Sequence, residues 1–410
     1  MSDADRPRVV LGVAGGIAAY KAAELLRQLT ETGHDVRVVP TEGALRFVGE
    51  PTWAALSGHP VHTGVWADAH EVPHVRIGRE ADLVVVAPAT ADLLARAASG
   101  LADDLLTNVL LTARCPVLLA PAMHTEMWEH PATRANVAAL RDRGTVVLDP
   151  DVGRLTGADT GRGRLPDPAG LATLARLLLR HPGALPRDLT GRRVLVTAGG
   201  TREALDPVRF LGNRSSGRQG YALALVAAAR GAEVTVVAAN VALPDPAGCT
   251  VLRVDSAAEL HDVTLAAAGD VDAVVMAAAV ADFRPALTES VKIKKDAGPP
   301  APVALERTED VLSDLVAGRK PHQLVVGFAA ETGDHTAGWL EHGRRKLARK
   351  GADLLVVNPV GDGLAFEQAD NSGVVLTADG AEIEIPPGPK AALAATVWDL
   401  VADRFGPATS

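Results

Sequence analysis

The chain has 410 residues, enough for two or three domains with sizeable cores, and its 47% hydrophobic and 22% charged residues are ordinary for a globular protein. A formal charge of −9 argues against a nucleic-acid or anionic-membrane partner, and 3% aromatics with 39 Gly point to closely packed helix-on-sheet layers. Two cysteines, Cys115 and Cys249, cannot make a CxxC pair or a zinc quartet and argue against a disulfide framework. The opening "MSDADRPRVV" has no apolar signal core, and no uncharged apolar stretch reaches membrane-spanning length, so the expectation is a cytoplasmic protein.

The first element predicted is a β run over Arg8–Val13. A Gly-Gly turn, a helix over Ile17–Leu29, a Gly33 C-cap and a second β run over Val36–Val39 complete a βαβ unit. In "GVAGGIAAYK" the glycines fall where a strand meets a helix N-terminus, whose free N–H groups and dipole hold phosphate. The run is not GxGxxG and no acid closes the second strand, so a mononucleotide such as FMN fits better than NAD; a purely structural turn is the competing reading. His74, in "VPHVRI", precedes the next strand. "ADLVVVAPATADLLARAASGLADDLLTNVLLTARCPVLLAPAM" reads strand, helix, helix, strand, with Cys115 a buried small hydrophobe and "APATAD" (87–92) a second strand-end loop carrying Thr90.

"PAMHTEMWEHP" follows at another strand's carboxyl end, where open α/β sheets put ligands. His124 and His130 are six apart without HExxH, which disfavours a metal and favours a substrate loop built on His124 and the methionines. "GTVVLDP" is a short strand, and "GRLTGADTGRGRLPDP" (153–168) reads as a flexible basic flap.

Residues 181–192, "HPGALPRDLTGR", carry no periodicity and mark a linker between domains 1–180 and 193–410. The second half starts over: "RRVLVTAGGT" echoes "PRVVLGVAGG", and further short buried strands follow, with "PPGPKAALAATVWDLVADRF" a closing helix. The fold class is α/β, two tandem doubly wound Rossmann-like domains with parallel sheets covered on both faces. "TAGGTREALDPVRFLGNRSSGRQG" (197–220) offers backbone and hydroxyl donors to an anion. Lys292, Lys294 and Lys295 surround one apolar residue on a loop able to clamp a triphosphate, although a solvated charge run is the plainer reading. Lys346 and Lys350 lie one helical turn apart.

Together these segments closely resemble the bifunctional phosphopantothenoylcysteine decarboxylase / phosphopantothenate–cysteine ligase family of coenzyme A synthesis. "GGTREALDPVRFLGNRSSGRQGYA" and "AAAVADFRPA…KIKK" carry the ligase likeness; "GGIAAYK", "APATAD" and "PAM…MW" carry that to flavin-dependent cysteine decarboxylases. The resemblance implies a flavodoxin-like flavoprotein domain followed by a ligase domain that activates 4′-phosphopantothenate with CTP and Mg²⁺. The acyl-cytidylate would be attacked by the cysteine amine, and the product decarboxylated with FMN to 4′-phosphopantetheine. It assigns nucleotide contacts to Ala277, Ala278, Ala279, Asp282, Glu309, Asp310, Val311, Leu312, Phe328, Lys346 and Lys350. Lys292 falls at the reacting phosphate, Asn213 at the acyl intermediate and His74 at the essential histidine. Gly15, Gly16, Ile17, Thr41, Ala89 and Thr90 fall at the flavin, and Met123 in the substrate loop; the Mg²⁺ ligands stay unassigned.

The decarboxylase half departs from the family twice: His124 stands where the pattern has Asn, and Gly157 where the flap has a cysteine proton donor. His124, Thr156, Asp159, Thr160 or water are the replacements weighed, with His124 first. "RTEDVL" in place of Asn-Pro-Asp-Ile-hydrophobic keeps Asp310. The resemblance further implies a homo-oligomer, decarboxylase trimers linked through ligase dimers. A second reading keeps an active ligase but makes the N-terminal half a flavin-binding assembly module; a nicotinamide oxidoreductase is a third.

Overall fold

Runs such as "VVLGV" (9–13) and "LVVVAPA" are apolar at every position instead of alternating, which suits strands buried on both faces. The computed structural model describes residues 6–62, 73–155, 159–294, 302–334, 337–360 and 370–405. The chain divides into two compact units, Met1–Pro186 and Arg187–Ser410.

The first unit contains β1 (Arg8–Val13), α1 (Ala19–Glu31), β2 (Asp35–Pro40), α2 (Glu42–Leu45), α3 (Glu50–Ser57), α4 (Pro73–Glu80), β3 (Leu83–Ala89), α5 (Ala91–Ser99) and α6 (Leu105–Thr112). It continues with β4 (Val117–Pro121), α7 (Thr125–Glu129), α8 (Pro131–Asp142), β5 (Val146–Val147), the hairpin β6 (Asp151–Arg154) and β7 (Thr160–Arg164), and α9 (Pro168–Arg180). The parallel sheet runs β2-β1-β3-β4-β5, the flavodoxin-like order, so the winding reverses between β1 and β3. α1 buries Ala19, Ala22, Leu25, Leu26 and Leu29 on one face, each leucine contributing about 1.5–3 kcal/mol. The chain leaves that helix through Gly33, whose φ of +88° suits glycine. The helix begins at Ala19, later than the apolar spacing predicts: Ile17 stays in the Gly-Gly loop with its side chain 65% exposed.

The second unit contains β8 (Arg193–Gly199), β9 (Arg202–Ala204), β10 (Phe210–Gly212), α10 (Arg218–Ala229), β11 (Glu233–Ala239), β12 (Cys249–Val254), α11 (Ala257–Ala268), β13 (Ala273–Met276), β14 (Phe283–Pro285) and β15 (Leu305–Arg307). After these come α12 (Val311–Gly318), β16 (Leu324–Glu331), α13 (Trp339–Lys350), β17 (Leu354–Pro359), β18 (Asp370–Thr377), β19 (Glu382–Pro389) and α14 (Lys390–Phe405). Its sheet order is β12-β11-β8-β13-β16-β17-β18-β19, parallel through β17 and antiparallel beyond. The parallel part is the Rossmann order, with its switch point between β8 and β13. The antiparallel pair β18–β19 was not legible in the sequence. It absorbs Pro386–Pro389, so the closing helix starts only at Lys390. Arg230, 0% exposed, pairs with Asp188 and Asp399 and so ties the start of the unit to α14.

Candidate active sites

In the first unit the strand-end loops converge at the carboxyl end of the sheet. Thr41 N–H donates to the Val13 carbonyl at 2.9 Å and Ala14 N–H to the Pro88 carbonyl at 3.1 Å. A β-carbon on Gly15 would lie 2.8 Å from the Gly43 carbonyl carbon, so only glycine lets these two loops touch; one on Gly16 would lie 3.7 Å from Thr90 Cγ2. Gly15, Gly16 and Ile17 are thereby brought beside Thr41 and Thr90, over the β1/β3 switch point. The Thr41 hydroxyl accepts from Ala44 N–H and the Thr90 hydroxyl from Leu93 N–H, each at 3.3 Å, as helix caps. Each still has its O–H to donate. Ala89 is fully buried and its carbonyl accepts from Ala122 N–H at 3.1 Å, so it builds the wall instead of presenting a polar group.

That Ala122–Ala89 bond places the "PAMHTEMW" loop on the same rim. Trp128 is 1% exposed within the sheet's hydrophobic cluster, with Arg134 over its ring, and Met123 packs against that cluster. Those two residues hold the loop, and His124, exposed, caps α7 through its carbonyl, which accepts from Met127 and Trp128 N–H. The flap, expected to be flexible, is an antiparallel hairpin in its described arms and docks on this loop. Met123 N–H donates to the Gly163 carbonyl at 2.9 Å. β-Carbons on Gly161 and Gly163 would meet Thr125 Oγ1 at 2.3 Å and the Met123 carbonyl oxygen at 2.0 Å. These glycines therefore permit backbone docking, an explanation for a Gly-rich run that looks like flexibility in sequence. Thr156 and Gly157 lie outside the described residues; Asp159 and Thr160 are exposed.

His74 stands on the first turn of α4, against α6, where its carbonyl accepts from the Thr112 hydroxyl at 3.0 Å. Among the described residues its hydrogen bonding is to α6 and not to the loops at 14–18, 41–43 and 87–92. Its Nδ1 and the Thr125 hydroxyl are buried polar atoms without a hydrogen-bond partner among the described residues. Such atoms are costly unless a ligand or partner satisfies them.

In the second unit, residues 277–281 are stitched to the Gly-Gly-Thr turn. Ala279 N–H donates to the Gly199 carbonyl at 2.8 Å, Ala278 N–H to the Thr197 hydroxyl at 3.0 Å, and Ala281 N–H to the Thr201 hydroxyl at 2.9 Å. Asn213 Nδ2 donates to the Val280 carbonyl at 2.9 Å, so Asn213, Ala277, Ala278 and Ala279 share one wall at the β8/β13 switch point. Asp282 is exposed, and its carbonyl accepts from Thr308 N–H at 3.1 Å, bringing the strand-end of β13 beside the approach to α12.

The second basic pair, Lys346 and Lys350, is more neutral than its sequence implies. Lys346 pairs with Glu331 at 3.0 Å, and Lys350 pairs with Asp310, which also caps α12 through Ser313 N–H. Burial raises the Asp310 carboxyl, but Lys350 and Ser313 overcome that and hold it below its ordinary value. Glu309 is held low by its own backbone N–H and by Arg284, against the cost of burial. Val311 lies in a hydrophobic cluster with Leu315, and Leu312 packs against it, so their side chains face the core; Phe328 is half-buried on β16. Lys292 and Lys294 are exposed; Lys295 lies outside the described residues.

Sequence reasoning missed Asp206. Burial raises its carboxyl, yet the N–H groups of Val208, Ile293 and Arg209, with the Arg209 guanidinium, hold it below its ordinary value. The signal was Asp-Pro inside "DPVR", a turn starter that reads as punctuation.

Residues 2–176 match the family model described as Flavoprotein, and residues 189–405 match the DNA/pantothenate metabolism flavoprotein C-terminal domain. The coenzyme A biosynthesis bifunctional protein CoaBC of Mycolicibacterium smegmatis is 61% identical over 403 residues, covering 97% of either chain. The chain belongs to this family. The Bacillus subtilis CoaBC protein is 41% identical over 383 residues, covering 92% of each. Membership makes the chain a bifunctional enzyme of coenzyme A biosynthesis, a decarboxylase-type flavoprotein half followed by a ligase half. A crystal structure of the C-terminal domain of a CoaBC protein aligns with a TM-score of 0.45 at 36% identity, over 53% of this chain and 97% of that one.

Proposed function

We propose that the second half joins cysteine to 4′-phosphopantothenate with CTP through an acyl-cytidylate, and that the first half decarboxylates the product to 4′-phosphopantetheine with FMN. The observation that carries this reading is the loop convergence at β1/β3, where Gly15 can be nothing larger and Gly16, Thr41 and Thr90 surround the helix start. The domains are taken as 1–180 and 193–410 around a linker at 181–192. In the ligase half the substrate carboxylate attacks the α-phosphate of CTP, releasing pyrophosphate; the cysteine amine then displaces CMP to form the amide. Lys292 opposes the charge that builds on the phosphate, Asn213 orients the acyl group, and Ala277–Ala279 present backbone to the nucleotide. Lys346 and Lys350 exchange Glu331 and Asp310 for phosphate as CTP enters. Asp282 would hold the Mg²⁺ carried in on the nucleotide phosphates.

The loop cluster fits a flavin phosphate: Gly15 and Gly16 lie against the 41–43 and 87–92 loops at a helix start, and Thr41 and Thr90 each keep an O–H to donate. When bound, FMN supplies the two-electron oxidation of the substrate thiol that makes loss of CO₂ favourable, and returns the hydride. His74 handles the proton of the oxidised thiol, Met123 and Trp128 fix the substrate loop, and His124 hydrogen-bonds the departing carboxylate and returns a proton. The exposed Val208, Phe210, Phe283, Leu287, Val291 and Leu305 support a ligase dimer, with decarboxylase trimers completing the oligomer. No described helix is long and apolar enough to cross a membrane, and a cytoplasmic site is proposed.

The test is to incubate the protein with phosphopantothenate, cysteine, CTP and Mg²⁺ while recording flavin absorbance and released CO₂. Both 4′-phosphopantetheine and CO₂ are expected; phosphopantothenoylcysteine accumulating without CO₂ would remove the decarboxylase assignment. His124→Ala should lower CO₂ release at least ~10²-fold while leaving ligation intact, and an unchanged rate would strip His124 of its role.

A further inference from the structure

We propose that Asp206 is a positioning residue of the ligase reaction, setting Lys292 where charge develops on the phosphate; the proposal rests on the ligase reading above. Asp206 is 3% exposed in the turn between β9 and β10. Its Oδ1 accepts from the N–H groups of Val208 and Arg209, both at 2.8 Å. Those bonds are the local turn pattern of an Asp before Pro. The other oxygen does something no local pattern requires: it accepts from Ile293 N–H at 3.1 Å, across 87 positions of chain.

Arg209 repeats the grip from the other side. Its Nε pairs with the Asp206 carboxylate at 3.2 Å, and its Nη2 donates to the Ile293 carbonyl. Both peptide groups of Ile293, the residue next to Lys292, are thus held by the buried Asp206 carboxylate and its exposed partner Arg209. Further ties run alongside, from Glu289 N–H to the Leu205 carbonyl at 3.0 Å and from the Thr288 hydroxyl to the Ala204 carbonyl at 3.1 Å. Residues 286–294 form neither helix nor strand, so these bonds take the place of a secondary-structure ladder. Lys292 has a flexible four-carbon stem and an exposed ammonium, so its reach is set by where its backbone is fixed. A carboxylate is the side chain for this job: it only accepts, whereas an Asn would turn an NH₂ donor towards one of the N–H groups.

The test uses the full-length enzyme with Asp206→Asn, Lys292→Ala and the double variant. Ligation is followed with varied CTP, and decarboxylation of added phosphopantothenoylcysteine, performed by the other half, reports intact protein. Asp206→Asn should lower the ligation kcat at least about tenfold with the KM for CTP changed less than about threefold, the pattern of an interaction realised in the transition state. In the Lys292→Ala background the same change should cost almost nothing more, because residues acting as one unit are not additive. Trypsin should also cut after Lys292 or Lys294 faster in Asp206→Asn than in the wild type. Ile293→Pro removes the N–H from an exposed segment while leaving the buried carboxylate in place, and should reproduce the kcat loss. Losses that multiply in the double variant, as a merely structural role would give, or an unchanged kcat in Ile293→Pro, overturn the proposal. Absence of phosphopantothenoylcysteine from the wild type instead overturns the ligase reading, and the trypsin comparison still decides whether Asp206 holds the segment.

Discussion

A β-carbon built on Gly15 would lie 2.8 Å from the Gly43 carbonyl carbon and 2.9 Å from its Cα, both backbone atoms that no rotamer change can move aside. On Gly16, one residue on, the nearest atom would be Thr90 Cγ2 at 3.7 Å, an ordinary contact. Gly15→Ala must therefore part the 14–18 and 41–43 loops by roughly half an ångström or more before carbon–carbon contact becomes attractive. Overpacking of this kind costs about 1–3 kcal/mol. For a unit of this size, that converts to a Tm lowered by roughly 2–12 °C. Because the strained loops are those proposed to hold the flavin, the purified Gly15→Ala protein should also carry less flavin per chain. Gly16→Ala should melt within a degree or two of the wild type and keep its flavin. Absorbance in the flavin bands against protein concentration, with thermal unfolding of each variant, measures both quantities. Equal losses in the two variants, or full flavin content and Tm in Gly15→Ala, would refute the loop-contact reasoning.

Other expectations follow from buried polar groups. Asp188→Ala leaves the buried Arg230 guanidinium with Asp399 and the Ala395 carbonyl, and should destabilise the second unit by about 3 kcal/mol in denaturant unfolding. Thr125→Val replaces a buried hydroxyl without a described partner by a methyl of similar shape and should leave the Tm unchanged or raised; a clear drop would mean that the hydroxyl has a partner in the folded enzyme. Burial, then the Asp245 carboxylate, pushes the Tyr221 hydroxyl up to about 12 from 10.0. Its contribution to stability is accordingly complete below the unfolded value and is lost as pH rises through the folded one. Unfolding free energy should decline over about pH 10–12 less steeply in Tyr221→Phe than in the wild type, and parallel declines would contradict the assignment.

The alternation of apolar strands with Ala/Leu-rich helices was enough to specify two doubly wound units, because strands covered on both faces have no polar side to show. Gly-Gly turns after β1 and β8, and the strand-end segments "APATAD", "PAM" and "AAAVAD", were readable as candidate site loops because open α/β sheets put ligands at carboxyl ends. Local chemistry of that kind survives in one dimension. What pairs with it does not. That Gly15 faces Gly43, that Gly161 and Gly163 seat a hairpin on Thr125 and Met123, and that Lys346 and Lys350 face Glu331 and Asp310 all depend on partners distant in sequence. The flap looked mobile because glycine signals freedom and close approach with the same letter. Asp206 looked like turn punctuation because its decisive partner, Ile293 N–H, is 87 positions away. The sequence by itself determined the layers, the loops and the chemical types of their residues. Only the tertiary structure decided which backbone groups those residues hold, because a hydrogen bond is specified by distance and direction in space and a run of residues records neither.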